Sequence, residues 1–212
     1  AANWGARLFH TKRIETPIES TTLRIDGEER AFDAVIVAAG AWARTLLPEF
    51  AGRLAVKRRV VAWFQSSAPK LLPVICVDNE EGVYGMPAPR GLYKLGFHAV
   101  GGAVSDPNIV RDPDEEDARE LGEHARILLP QHDPAPVRMA RCLYTVTPDE
   151  NFLIAQSVKH ERVLMFSACS GHAFKYAPVF GELAQEWLEG SPSEELVALA
   201  RGAATRLGGA KT

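Results

Sequence analysis

The chain has 212 residues, 46% of them apolar and 24% charged, with a formal net charge of -3. Those values sit near the globular average and allow one domain or two small ones with a real core. The charge gives no reason to expect nucleic acid or an anionic membrane as a partner. The longest apolar run, AFDAVIVAAGAWA, is broken by Asp33 and is too short to span a bilayer. The opening Ala1-Ala2-Asn3-Trp4 has no secretory pattern and no initiator Met, which reads as a processed or trimmed product. Cys76, Cys142 and Cys169 lack CxxC spacing, so neither a disulfide framework nor a zinc knuckle is expected. A reducing cytoplasm is the default location.

Along the chain, residues 1 to 8 read as the tail of a helix running into a strand, ARLFHTKRIETPI. TTLRI (21 to 25) and AFDAVIVA (31 to 38) read as a hairpin across Asp26-Gly27, a strong turn dipeptide. The run Ala34 to Ala38 is apolar on both faces, as in a strand buried within an α/β layer. It ends at Ala39-Gly40-Ala41-Trp42, where the chain is expected to turn sharply. From about residue 55, LAVKRRVVAWFQ, LPVICVD, GVYGMPA and YKLGFHAV predict a mainly antiparallel sheet. A helix follows, with Asp112 as its cap, Pro113 in its first turn, an apolar face of Ala118, Leu121, Ala125 and Leu128, and Pro130 as its stop. The strand RVLMFSAC then leads through Ser170-Gly171 into a second helix. Its stripe is Val179, Phe180, Leu183, Ala184, Trp187 and Leu188, and Gly190 ends it. The tail from Ser191 starts as a short helix, and its last residues are expected to be mobile.

Three segments hold the residues with chemical potential: GVYGMPAPRGLYKLGFH (82 to 98), RCLYTVTPDE (141 to 150) and SGHAFKYAP (170 to 178). In the first, alternation puts Lys94, Gly96 and His98 on one strand face and Tyr93, Leu95 and Phe97 on the other. The second set is the natural core side, so the first points to solvent or into a cleft. Cys142, beside Leu143 and Tyr144, is either an inert buried thiol or a reactive one. The turn Ser170-Gly171-His172-Ala173-Phe174-Lys175 opens a helix, and the backbone N–H groups there suit an anion. Tyr84 and Tyr144 are cavity-lining or core aromatics. Trp42, read from its residues alone, is an aromatic packed on the sheet. A metal site built from His98, Cys142, Cys169 and His172 is rejected for want of ligand spacing, and there is no nucleophile elbow.

KLGFH, the cysteine–Leu-Tyr-Thr segment with Thr147-Pro148-Asp149-Glu150, and SGHAFK together resemble the flavin-dependent amine oxidases of the sarcosine oxidase and N-methyltryptophan oxidase type. These belong to the wider D-amino-acid-oxidase-like superfamily. The resemblance implies an α/β (α+β) fold: part of an FAD-binding sheet domain (1–52 and 147–212) around a mainly antiparallel substrate domain (53–146). It implies FAD as cofactor, attached covalently through Cys142. Cofactor contacts are implied at Leu143, Ala39, Gly40, Trp42, Gly171, His172, Ala173 and Phe174. It implies that Lys94 promotes reaction with oxygen, that His98, Tyr84 and Tyr144 shape the amine pocket, and that Lys175 binds the substrate carboxylate. Two positions depart from the pattern: Asn151 replaces a frequent His, and Ala173 replaces a glycine. If position 173 needs φ > 0, alanine strains the loop by roughly 1 kcal/mol or more.

The Gly-x-Gly-x-x-Gly turn that opens such enzymes is missing. The chain therefore looks like their C-terminal part, and a separate chain carrying the N-terminal half is an expected partner beside a small amino acid substrate. Two readings stay open. One is part of an oxidase of secondary amino acids such as sarcosine. The other is a cofactor-free fragment or assembly module that keeps the fold without turnover.

Overall fold

The computed structural model describes residues 5–10, 13–66, 72–129, 132–167 and 170–198. Its packing divides the chain into two units, residues 1–54 with 147–212, and residues 55–146.

In the first unit, β1 (Thr22–Ile25) and β2 (Glu28–Ala31) form an antiparallel hairpin. Asp26 and Gly27 between them have φ of 52° and 85°, the doubly left-handed turn whose twist suits adjoining strands. The expected turn is thus present, but its second arm is residues 28–31. The segment read as that arm supplies instead β3 (Val35–Val37), which joins a different sheet. The helix-to-strand reading of the N-terminus also fails where residues are described: 5–10 have neither form, and pairing is limited to a bridge from Ile14 to Ile25.

The second sheet of this unit orders β10 (Leu153–Gln156), β11 (Val163–Ser167) and β3, with β3 parallel to β11. Alternation sends Val35, Val37, Val163 and Met165 into one core, shared with Ala43 of the short α1 (Ala43–Leu46) and with Leu47 and Phe50. Leu164 and Phe166 face the other way, into a core with Leu183, Phe180 and Trp187 of α3 (Ala177–Leu188). All five β11 residues are buried, as befits a strand covered on both faces. Ile36 departs from the same expectation, because it is 38% exposed at the edge of the sheet. Val179 and Leu188 likewise lie outside the buried stripe of α3, at 48% and 39% exposure. Gly190 ends α3 with φ 73°. The short helix expected after Ser191 covers 194–198, whereas Pro130, Cys169 and the C-terminal residues expected to be mobile lie outside the described residues.

The second unit is a six-stranded antiparallel sheet ordered β5 (Ile75–Cys76), β6 (Val83–Ala88), β7 (Leu92–Phe97), β4 (Ala55–Gln65) and β8 (Ala103–Val104), with β9 (Arg138–Val146) paired along the length of β4. One sheet face buries Val60, Ala62, Phe64, Tyr93 and Leu95 against Leu121, Ala125 and Leu129, from α2 (Glu115–Leu128) and its end. The cap of α2 is Asp114, not Asp112. Its carboxylate accepts from the N–H groups of Glu116 (3.1 Å) and Asp117 (3.2 Å), and the Asp117 carboxylate accepts from Asp114 N–H (3.0 Å). Asp112 is engaged elsewhere: its carbonyl accepts from Arg58 at 3.1 Å and its carboxylate pairs with Arg141. Arg58 also forms a two-pronged ion pair with Asp117 at 2.9 and 2.6 Å, tying β4 to the first turn of α2. Among the described residues no helix is long and apolar enough to cross a membrane.

Candidate active site

The strand register of the second unit decides which side chains share the face turned away from α2. Met86, Lys94, Trp63 and Arg138 form one cross-strand row, and Tyr84, Gly96, Val61 and Ala140 the next. Arg59 then faces Cys142, and Lys57 faces Tyr144. Rows on one face are two residues apart, about 6.6 Å along the strands. The middle row is low, because Gly96, Val61 and Ala140 are small. Gly96 is bare for a reason: a Cβ there would lie 2.9 Å from the Tyr84 hydroxyl and 2.9 Å from Val61 Cγ1. The Tyr84 ring lies across it.

Around this floor the polar groups converge. Lys94 Nζ stands 5.6 Å from the centre of the Tyr84 ring. His98, just past β7, meets Tyr144 edge-on at 5.5 Å. Arg59 is only 3% exposed. Its guanidinium donates to the carbonyls of His98 (2.9 Å), Ala99 (3.2 Å) and Arg58 (3.3 Å), and lies 5.0 Å from the centre of the Tyr144 ring. Burial pushes the Cys142 thiol up from its ordinary value, while the charges of Lys94 and Arg59 pull it back. Burial likewise raises both Tyr84 and Tyr144, so the two phenols hold their protons beyond the usual tyrosine range. The structure thus gathers Lys94, His98, Tyr84, Tyr144 and Cys142 on one face. Leu143 falls on the opposite face, in register with Arg58.

In the first unit, β3 and β11 run parallel, so the segments leaving their C-terminal ends share one sheet edge. That edge is where open α/β sheets hold ligands. After β3 come Ala39 and a 3₁₀ turn, Gly40–Trp42, entered with Gly40 at φ 52° and leaving Trp42 45% exposed. On the β11 side, Ser170 and Gly171 take φ of 43° and 81°. Ala173 has φ -82°, an ordinary right-handed value. The strain expected of alanine there does not arise, because the left-handed positions are 170 and 171. The turn is stitched to the loop after β9. Ser170 Oγ donates to Asn151 O (3.3 Å), Thr147 Oγ1 donates to the same carbonyl (2.7 Å), and His172 Nε2 lies 2.9 Å from Glu150 O. Asn151 supports that loop, donating from its amide to Asp149 O at 3.0 Å. His172 also packs on Phe152, with ring centres 4.8 Å apart. Phe174, 95% exposed, and the exposed Lys175 occupy the short turn Phe174–Tyr176 before α3.

Arg59, Val61 and Trp63 belong to the site face and were passed over in the sequence, where LAVKRRVVAWFQ reads only as a strand. Their signal is alternation: 57, 59, 61 and 63 have one parity, opposite to the apolar Val60, Ala62 and Phe64.

The model of the FAD dependent oxidoreductase (DAO) family matches residues 1–187. N-methyl-L-tryptophan oxidase of Salmonella dublin is 31% identical over 199 residues, which are 89% of this chain and 52% of that protein. Monomeric sarcosine oxidase of Streptomyces avermitilis is 29% identical over 175 residues, 76% of this chain and 46% of the relative. Among solved structures, fructosyl peptide oxidase from E. terrenum superposes with a TM-score of 0.71 at 23% identity, covering 88% of this chain and 50% of that one. NikD, an amino acid oxidase essential for nikkomycin biosynthesis, does so with a TM-score of 0.69 at 20% identity, covering 88% and 52%. The two superpositions show a shared fold, and the chain spans about half the length of the curated relatives it matches. A family match across residues 1–187 makes this chain a member of the FAD dependent oxidoreductases.

Proposed function

We propose that this chain carries the substrate-side half of an FAD-dependent oxidase of secondary (N-methyl) amino acids such as sarcosine. The observation that carries the reading is the α2-distal sheet face, where Lys94, Tyr84, Tyr144, His98 and Cys142 meet over a floor of small residues. The donor set fits a flat aromatic group that gains negative charge. It offers a thiol, the cations Lys94 and Arg59 and two protonated phenols, and no residue in those rows is acidic. FAD held there would supply two-electron redox chemistry, coupling oxidation at the carbon beside the substrate nitrogen to reduction of dioxygen to hydrogen peroxide.

The chain's own residues have distinct tasks. Cys142 is the covalent attachment point. Lys94 supplies a fixed positive charge where reduced oxygen develops negative charge. His98, Tyr84 and Tyr144 shape the amine pocket and exclude water from it. Ala39, Gly40 and Trp42, with Gly171, His172, Ala173 and Phe174, offer backbone and ring contacts to the cofactor at the C-terminal sheet edge, and Lys175 pairs with the substrate carboxylate. A second reading, a cofactor-free assembly module, is favoured by the exposure of Phe174 (95%) and Trp42 (45%) at that edge.

Acid denaturation of the purified protein separates the two. Yellow absorbance that stays with the polypeptide and disappears in Cys142→Ala supports the oxidase. Colour released to the supernatant removes the covalent link, and colourless protein favours the module. In enzyme that turns over, Lys94→Met should slow oxygen consumption at least ten-fold more than amine-driven reduction, roughly 1.4 kcal/mol of selective stabilisation. Equal slowing of both half-reactions would count against the role of Lys94.

A further inference from the structure

We infer that Arg59 is the positioning residue of this face: it holds the His98–Ala99 turn and the Tyr144 ring in place and sets how readily the Cys142 thiol reacts. The inference deepens the oxidase reading, which assigns Cys142 its role, but it concerns the polypeptide alone.

Three observations carry it. Arg59 is 3% exposed and stands directly across from Cys142 in the β4–β9 register. Its guanidinium donates to the carbonyls of His98, Ala99 and Arg58 and lies 5.0 Å from the centre of the Tyr144 ring, so its charge is held in place by several partners. The turn it grips is also built around it. Arg58 N–H donates to Gly102 O at 2.8 Å, and a Cβ on Gly101 would fall 2.0 Å from Arg58 O and 2.5 Å from Arg59 Nη1. Arg59 is therefore immobilised, and a buried fixed cation acts on its neighbours with little solvent screening.

The titratable and charged groups on the sheet face of Cys142 are Arg59 and Lys57 from β4, Lys94 from β7, Tyr84 from β6, Arg138 and Tyr144 on its own strand, and His98 just past β7. Burial of the thiol disfavours the thiolate, and the two phenols stay neutral in the ordinary range. Lys94 and Arg59 oppose that penalty. Lys94 is half-buried on a flexible stem, so the geometrically fixed contribution is that of Arg59.

The experiment uses flavin-free polypeptide made in riboflavin-starved cells. Iodoacetamide alkylation of Cys142 is followed by peptide mass mapping from pH 6 to 10, with the exposed Cys76 as internal control. Arg59→Gln should move the Cys142 curve to higher pH and slow alkylation at fixed pH by roughly five-fold, the scale of just under one pKa unit. The Cys76 curve should stay in place. An unmoved Cys142 curve in folded Arg59→Gln overturns the inference. If that variant does not fold, Arg59→Lys decides. It keeps the charge, so a curve close to wild type supports the inference, whereas faster alkylation at every pH, the mark of a merely loosened sheet, overturns it. Neither readout needs bound flavin, so a colourless protein would end the oxidase reading without touching this one.

Discussion

The two faces of the 55–146 sheet are made of the same strands and differ by a single residue step, yet they have opposite characters. Toward α2, Phe64, Tyr93 and Leu95 are fully buried and the charges are paired, as in Arg58 with Asp117. On the other side, cations, phenols and a thiol crowd a floor of small residues, and two of the tyrosines hold their protons tightly. One face spends its residues on cohesion, and the other keeps polar groups desolvated and close together. Such a face is expensive unless something uses it.

The contrast is broken most directly by shaving each face in turn. Phe64→Ala should cost about 3–5 kcal/mol of unfolding free energy, and Trp63→Ala, one step along the strand and only partly buried, less, about 1–2 kcal/mol. Urea midpoints at unchanged slope would show it. Similar losses would mean that both faces are structural. A smaller effect comes from adding a methyl group to either face. Gly85→Ala places a Cβ 2.5 Å from Leu95 and 2.6 Å from Tyr93 inside the core. It should cost about 1–3 kcal/mol by overpacking while leaving Cys142 alkylation as it was. Gly96→Ala meets Tyr84 and Val61 at 2.9 Å. It should displace the Tyr84 ring and alter Cys142 alkylation, with a smaller change in the urea midpoint.

The smallest expected effect is one of pH. Tyr84 and Tyr144 have raised folded values, burial being the main cause. In the unfolded chain they lose their protons near pH 10. Stability is therefore whole below that pH and falls as pH rises above it, because the unfolded state then releases protons that the folded state retains. Tyr84→Phe should flatten this alkaline decline, as read by urea midpoints at pH 8 and pH 10.5. A decline as steep as wild type would place the tyrosine protons elsewhere.

Much of this was legible in the chain itself. The alternation in Tyr93-Lys94-Leu95-Gly96-Phe97 separates core from site without further help, since a strand's side chains must alternate. The turn at Asp26-Gly27 follows from two residues that tolerate positive φ. Other features needed partners that are distant in sequence. The cap expected at Asp112 falls at Asp114, and Asp112 is engaged instead by Arg58, 54 residues earlier, and by Arg141. AFDAVIVA continues a hairpin by local pattern, and only the parallel partner Val163–Met165 draws Val35–Val37 into another sheet. Arg59 looked like one more charge in a basic strand.

The sequence by itself determined the two residue sets of the Tyr93–His98 segment, the turn at Asp26-Gly27 and the membership in a flavoprotein family, because these rest on local periodicity and on motifs read in place. Tertiary structure alone decided strand register, and with it that Arg59 faces Cys142, that Leu143 faces away from it, and that Tyr84 lies over Gly96. Register is a long-range property: it is set by how whole faces bury together, and a slip of one residue would exchange the core for the site.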